Sequence, residues 1–305
     1  MNEFKLYEQK IIELKNIGLE PIKYGESTLG QPLYYYKLSK RVDYRQKPIK
    51  VLVQAGIHAR EYITTFLLFK LIEYYNVLIF KELSLLNKER KSSYLNLNYE
   101  LYFVINSNVD GFKLCTCGID FIKDEKLKRK LLAINQGNKD FSLYKANLNG
   151  VDLNVNFDAN FGNGKNNQTT KNFQNYIGPY PNSEKETQYL IKLTEKVKPD
   201  LTISYHSKGE EIYYDFFQNE KDKKRDEEIA KIIAKTTKYK IKSMSKYSAG
   251  GYKDWCIQKL KIPAFTIEVG NDNFSHPLGL DKLQPIYKQN KLVIKNILKH
   301  MAEKH

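Results

Sequence analysis

His58 and Glu61 stand three residues apart in Gly56-Ile-His-Ala-Arg-Glu61, just past the apolar run Ile49–Ala55. At that spacing, in a turn leading into a helix, an imidazole and a carboxylate can bind one metal ion together. Alone, His-x-x-Glu is a weak signal, because a histidine near a glutamate is common and usually inert. A second candidate is His206, at the tip of the apolar run Leu201–Tyr205. The chain has five histidines, His58, His206, His276, His300 and His305, and the last two lie in a polar tail and read as inert. Two histidines plus one glutamate form a known catalytic zinc set that leaves a fourth position for water. Taken alone, His206 equally fits a buried histidine satisfied by hydrogen bonds.

Glu268 sits inside another apolar run, Ala264–Val269. A buried charge is costly unless it is paired or bound to a metal. On a strand, Glu268 points to the face opposite Ile267 and Val269. There it is either a general base beside a water activated by the metal or the partner of a lysine. Cys115-Thr-Cys117 is too closely spaced for a zinc knuckle. With Cys256 that makes three thiols, which read as reduced and without a disulfide framework.

These groups need strands to hold them. Ile49–Ala55, Tyr99–Ile105, Leu201–Tyr205 and Ala264–Val269 are short, apolar and rich in β-branched or aromatic residues, as buried strands are. Helical patterns lie between them, at Tyr62–Phe80, Ser183–Val197, Asp226–Lys235 and Leu280–Lys299. Ser183 with Glu186 three residues on spells a capping box. The alternation predicts an α/β fold: a mixed, mostly parallel twisted sheet with helices on both faces. Residues 1–20 read as an amphipathic helix packed on it. Residues 160–176 read as a long surface loop, and Glu220–Glu228 as a second exposed segment. Ligands in such folds collect at the carboxyl ends of the strands, where His58 and His206 fall.

At 305 residues and 41% hydrophobic, the chain can build one large core, and no repeat or linker divides residues 1–305 into domains. Fifty basic against 35 acidic residues give a net charge of +15. Such a field favours anionic partners, although lysine spread over a solvated surface explains it as well. No helix-turn-helix, zinc-finger or RNP pattern supports a nucleic-acid partner. No run of consecutive apolar residues reaches the ~18 that suggest a membrane span, and the charged N-terminus has no apolar signal core. The expectation is a cytoplasmic protein with no membrane partner. The oligomeric state leaves no mark in the sequence.

Taken together, the motifs resemble the carboxypeptidase A type of zinc peptidase, from about Tyr24 to Asn290. Gly56-Ile-His-Ala-Arg-Glu-Tyr-Ile-Thr64 is similar to the family's first zinc motif almost letter for letter. Ser204-Tyr-His206-Ser207 matches its third ligand, and Thr266-Ile-Glu268-Val its catalytic strand. Asn108-Val-Asp-Gly111, Asn149-Gly-Val-Asp-Leu-Asn154 and the turn Gly25-Glu-Ser-Thr-Leu-Gly30 also resemble family segments. The resemblance implies one zinc ion held by His58, Glu61 and His206. It implies Glu268 as the proton carrier, and Asp152 behind His58 fixing its tautomer. It also implies Asn154 at the substrate's carboxylate side and Lys145 as the cation facing the developing oxyanion.

One departure bears on the substrate. The family usually has Asn-Arg where this chain has Asn154-Val155, and that arginine grips a terminal α-carboxylate bidentately. Valine cannot. Glu268-Val-Gly270 with His276-Pro-Leu278, and Lys145-Ala-Asn147, are closer to bacterial enzymes that cut the γ-D-glutamyl–meso-diaminopimelate bond of cell-wall peptides. A muropeptide substrate is thus expected. A general metallocarboxypeptidase and a non-catalytic wall-peptide-binding module are the competing readings. Arg60 either replaces part of the missing anchor or forms a structural ion pair. Tyr247 stands nearest the position of the family's mobile phenol, and His276 is a substrate-binding candidate or a plain loop residue.

Overall fold

The computed structural model describes residues 2–85, 94–243 and 248–304. Tyr247 and His305 lie outside the described residues.

Eight strands form one sheet: β1 (Ile22–Glu26), β2 (Pro32–Lys40), β3 (Ile49–Gln54), β4 (Tyr99–Val104), β5 (Leu201–His206), β6 (Glu211–Tyr213), β7 (Lys240–Lys242) and β8 (Ala264–Glu268), in the order β1-β2-β4-β3-β5-β8-β6-β7. The four strands expected from sequence are its centre, β4-β3-β5-β8, parallel throughout. They are apolar on both faces because both faces are covered. The side-chain alternation sorts them cleanly. Val51 and Val53 enter one core with Leu101, Phe103, Ile203 and Ile267. Leu52, Val104 and Ala264 enter another, against Leu190, Leu193, Tyr252 and Trp255.

The flanking strands were not expected. β1, β2 and β6 pair antiparallel, and β7 is a three-residue edge strand with exposed Lys240 and Lys242. The tyrosine-rich β2 and the lysine-rich edge carry too little apolar signal to stand out from loops.

The helices are α1 (Glu3–Asn16), α2 (Ile63–Leu85), α3 (Val109–Cys117), α4 (Glu125–Ile134), α5 (Lys185–Val197), α6 (Glu220–Thr237), α7 (Tyr252–Trp255), α8 (Leu283–Asn290) and α9 (Val293–Lys304). Phe4 and Tyr7 anchor α1 on Phe112 of α3, as an amphipathic N-terminal helix should. Residues 160–176 carry no helix or strand longer than a single bridge. Three expectations are corrected. Glu220–Glu228 is not a separate exposed segment but the first half of α6, capped by Asn219 and held inward by buried Asp226 and Ile229. Leu280–Lys299 is not one helix: a 3₁₀ turn, Leu280–Lys282, leads into α8, which stops at Asn290 before α9 begins. The capping box at Ser183 does not form. Glu184 is the cap residue, and Glu186 turns away to accept Thr28 N and Oγ1 in the β1–β2 turn.

The stretch Ala59–Leu85 is long and apolar enough, by composition, to cross a membrane. Here it is a core element, with Ile63 to Phe69, Leu71, Ile72 and Tyr75 buried. Near its end Glu82 is buried at 3% exposure and pairs with Lys40, 0% exposed, at 3.2 Å. Tyr94 Oη and Tyr99 Oη donate to the two Glu82 oxygens at 2.5 and 2.8 Å. Removing one partner of a buried pair leaves the other charge uncompensated. Lys40→Met should therefore cost about 3–5 kcal/mol in denaturant titration, and adding Glu82→Leu should recover most of it. A loss under about 1 kcal/mol in the single variant would mean that the two tyrosines and Lys295, whose Nζ lies 4.0 Å from Glu82 Oε1, satisfy Glu82 without Lys40.

Candidate active site

β3 and β5 are parallel neighbours, so their carboxyl ends emerge side by side. After β3 the chain turns at Gly56, φ +63°, where an added Cβ would stand 2.5 Å from Asn106 Nδ2 and 2.7 Å from Thr65 Oγ1. Glycine is required there by both backbone and space. The turn presents His58, and a 3₁₀ turn, Ala59–Glu61, folds Glu61 back toward it. His206 closes β5 beside them.

His58 Nδ1 lies 2.8 Å from Glu61 Oε1. His206 Nδ1 lies 3.2 Å from both His58 Nδ1 and Glu61 Oε2. Metal bonds of about 2.0–2.1 Å set tetrahedrally give edges of about 3.3–3.4 Å, close to this spacing. All three side chains are buried. Nitrogen and oxygen lone pairs aimed at one point repel each other unless a cation sits there, so the donor set fits a zinc ion. Burial alone would raise the Glu61 pKa, but His58 and His206 hold it well below the usual carboxylate range. Ser207 N donates to Glu61 Oε2 at 3.1 Å.

A second ring of contacts fixes these ligands. Asp152 Oδ1 sits 3.2 Å from His58 Nε2 and accepts Asn154 N at 3.1 Å. Asp152 Oδ2 accepts Lys145 Nζ at 2.7 Å and Asn175 N at 3.2 Å. Desolvation works against ionised Asp152, yet Lys145 and His58 keep it far below its ordinary value. Asn108, capping α3, donates to Ile57 O and Ala146 O, stapling the His58 loop to the Lys145 segment.

Glu268 ends β8 opposite His206 of β5 on one side and Glu211 of β6 on the other. It is half-buried. Desolvation pushes its carboxyl up to about 8; His206 opposes the shift and Glu61 adds to it. No lysine pairs with it among the described residues.

The remaining candidates divide. Lys145 is within electrostatic reach of Glu268. Asn154 Oδ1 accepts Tyr252 N at 3.1 Å, leaving its amide N–H₂ without a partner among the described residues. Arg60 forms no ion pair among the described residues; its Nη1 donates to Leu143 O and Gln174 Oε1, both at 3.2 Å. His276 is half-buried, its Nδ1 unpartnered among the described residues, and near enough to feel Glu61, Arg60, Lys208 and His58. Desolvation lowers its pKa to about 4, so it is neutral at pH 7. Sequence reasoning missed Gln174 and Asn175, hidden in the polar loop 160–176. It also missed Lys208, whose Nζ meets Asp272 Oδ1 at 2.8 Å beside the site.

A family profile described as zinc carboxypeptidase matches residues 9–292. The chain belongs to the zinc carboxypeptidase family. It is 30% identical over 271 residues to gamma-D-glutamyl-L-diamino acid endopeptidase 1 of Lysinibacillus sphaericus, covering 87% of this chain and 63% of that protein. It is 27% identical over 287 residues to carboxypeptidase B2 of Rattus norvegicus, covering 88% of this chain and 62% of that one. The chain thus spans a little under two thirds of the length of these relatives. Among solved structures, thrombin activatable fibrinolysis inhibitor aligns at a TM-score of 0.75 and 20% identity, over 99% of this chain and 74% of that chain, a likeness of fold.

As in other zinc carboxypeptidases, one zinc is the cofactor, and His58, Glu61 and His206 are the group that can hold it. Partners that orient ligand imidazoles typically tune affinity 10–100-fold. Asp152→Asn should weaken zinc binding by about that factor in competition with a chelator, because Asp152 both orients His58 and anchors Lys145. Unchanged affinity would remove Asp152 from the metal's support.

Proposed function

We propose that this zinc carboxypeptidase hydrolyses the γ-D-glutamyl–diamino-acid bond of cell-wall peptides. The observation that carries the reading is the pairing of a complete site with Val155. Glu268 stands beside the convergent donors, but the residue after Asn154 offers no cation to clamp a terminal α-carboxylate. Instead Lys145 lies within electrostatic reach of Glu268, and Arg60 and Lys208 within reach of His276, cations suited to a substrate whose carboxylates branch off its main chain. The relative from Lysinibacillus sphaericus, named for a gamma-D-glutamyl-L-diamino acid bond, supports the same substrate.

Zinc held by His58, Glu61 and His206 supplies a Lewis acid that lowers the pKa of water toward 7 and polarises a carbonyl. Glu268 takes a proton from the attacking water and delivers it to the leaving amine. Lys145, held by Asp152, directs an ammonium N–H at the oxygen where negative charge develops. The free amide N–H₂ of Asn154 donates to a carboxylate of the leaving diamino acid. Arg60 and His276 line the approach on the acyl side.

Digestion of muropeptides and of a blocked C-terminal dipeptide by the zinc-loaded protein tests this. Fragments carrying the diamino acid at a new amino terminus are expected. Cleavage of the dipeptide alone would replace the reading with a general metallocarboxypeptidase, which the similarity to carboxypeptidase B2 favours. Binding without cleavage of either would make the protein a recognition module.

Glu268→Gln should lower kcat by about 10²–10⁴ with zinc retained, and Lys145→Met by about 10²–10³. Glu268 works as a base, so kcat/KM must rise as pH passes through its pKa. Burial raises that pKa toward 8 from 4.5, and the metal's charge opposes the rise. The ascending limb should fall between those values and disappear in Glu268→Gln; a limb that persists would belong to another group.

A further inference from the structure

The face of α1 turned away from the core takes no part in the hydrolytic site. Phe4, Tyr7 and Leu14 bury its inner side. Lys5, Glu8, Ile12 and Lys15 follow one another at steps of three and four residues, so they form one outward stripe, and all four are exposed. Ile12 keeps 58% of its surface open. Beside the stripe runs a groove of about 420 Å³ between α1, the start of β2 and the start of α3. Ile11, Ile12, Pro32, Tyr34 and Val109 line it, and Glu8 is the one charged side chain along it among the described residues. Leu29, 42% exposed, continues the apolar surface; its N–H donates to Asp110, next to Val109. Single exposed apolar residues are ordinary, but a contiguous groove of them marks a contact surface.

Charge indicates what covers it. The stripe is complementary to itself when reversed. In an antiparallel pair of α1 helices, a two-fold axis passing between Ile11 and Ile12 sets Glu8 of each copy against Lys15 of the other, and Ile12 of each against Ile11 of the other. Within its own chain Lys15 meets exposed Glu20 at 3.4 Å, a surface contact that exchanges cheaply. Elsewhere two copies repel, because each carries a net charge of +15. The chain has 50 basic residues, yet none lines this groove, so here two copies approach with least repulsion.

We propose that the outer face of α1 and its groove form a two-fold contact between two copies of this chain, antiparallel across Ile12. Each copy buries Ile12 in the other's groove, and the Glu8–Lys15 pairs at either end fix the register. The contact is independent of the substrate and of the bond that is cut.

Sedimentation velocity of the zinc-loaded protein, from about 1 to 300 μM in about 0.15 M salt, tests this. A monomer–dimer equilibrium with a Kd of about 1–100 μM is expected. Ile12→Lys should weaken it by about tenfold or more. Glu8→Lys and Lys15→Glu should each weaken it by about 3–10-fold, and the exchange Glu8→Lys with Lys15→Glu should return it to within about threefold of wild type, because both pairs are then reversed. Phe80→Lys, at a 67% exposed apolar site on α2, should leave the dimer unchanged. Melting curves check that each variant is folded, and the charge exchange tests the contact even where Ile12→Lys does not fold. A wild type that stays monomeric up to about 300 μM, or that associates beyond a dimer, overturns the proposal. So does a dimer that the folded Ile12→Lys variant leaves intact, one that Phe80→Lys abolishes, or one that the charge exchange fails to restore.

Discussion

Two imidazole nitrogens and a carboxylate aimed at one buried point are the constraint around which this molecule is arranged. Without a cation their lone pairs repel, and burial alone would push Glu61 toward protonation. Parallel pairing of β3 with β5 brings the two histidines to one edge, and pairing of β5 with β8 sets Glu268 beside His206. His58, Glu61, His206 and Glu268 thus each end a strand or lie in the turn just beyond one. There a rigid ladder fixes the backbone while the side chain stays open to a substrate.

The support around that point is electrostatic as much as geometric. Asp152 holds His58 with one oxygen and Lys145 with the other, so the orientation of the imidazole and the placement of the ammonium depend on a single carboxylate. Its own ionised state depends in turn on those partners. Some buried carboxylates are met by a partner of opposite sign, as Glu82 is by Lys40 far from the site, and others by neutral donors, as Glu184 is by Asn147 and Asn149. Among the described residues Asp110 and Asp215 each keep one buried carboxylate oxygen without a partner.

Legibility followed signal strength. The four central strands were visible because burial on both faces leaves uninterrupted apolar runs. β2 was not, since a strand of tyrosines and lysines at a solvated flank has no such run. The capping box at Ser183 failed because Glu186 gains more from two hydrogen bonds in the β1–β2 turn than from its own helix end, a competition invisible to local pattern. Glu220–Glu228 looked like a solvated segment because its charges outnumber its anchors, yet Asp226 and Ile229 are enough to hold α6 on the core.

Residue type and order alone pointed to the metal group His58, Glu61 and His206 and to the valine at position 155, because the chemistry of a zinc site demands specific donors and few residues supply them. Tertiary structure decided the rest: that Asp152 serves two masters, that Gln174 and Asn175 reach in from an apparently featureless loop, and that Lys253 Nζ donates to Asp215 O, 38 residues away in the chain. Those assignments depend on which surfaces the sheet and its turns press together, and charge placement in three dimensions leaves no local pattern along the chain.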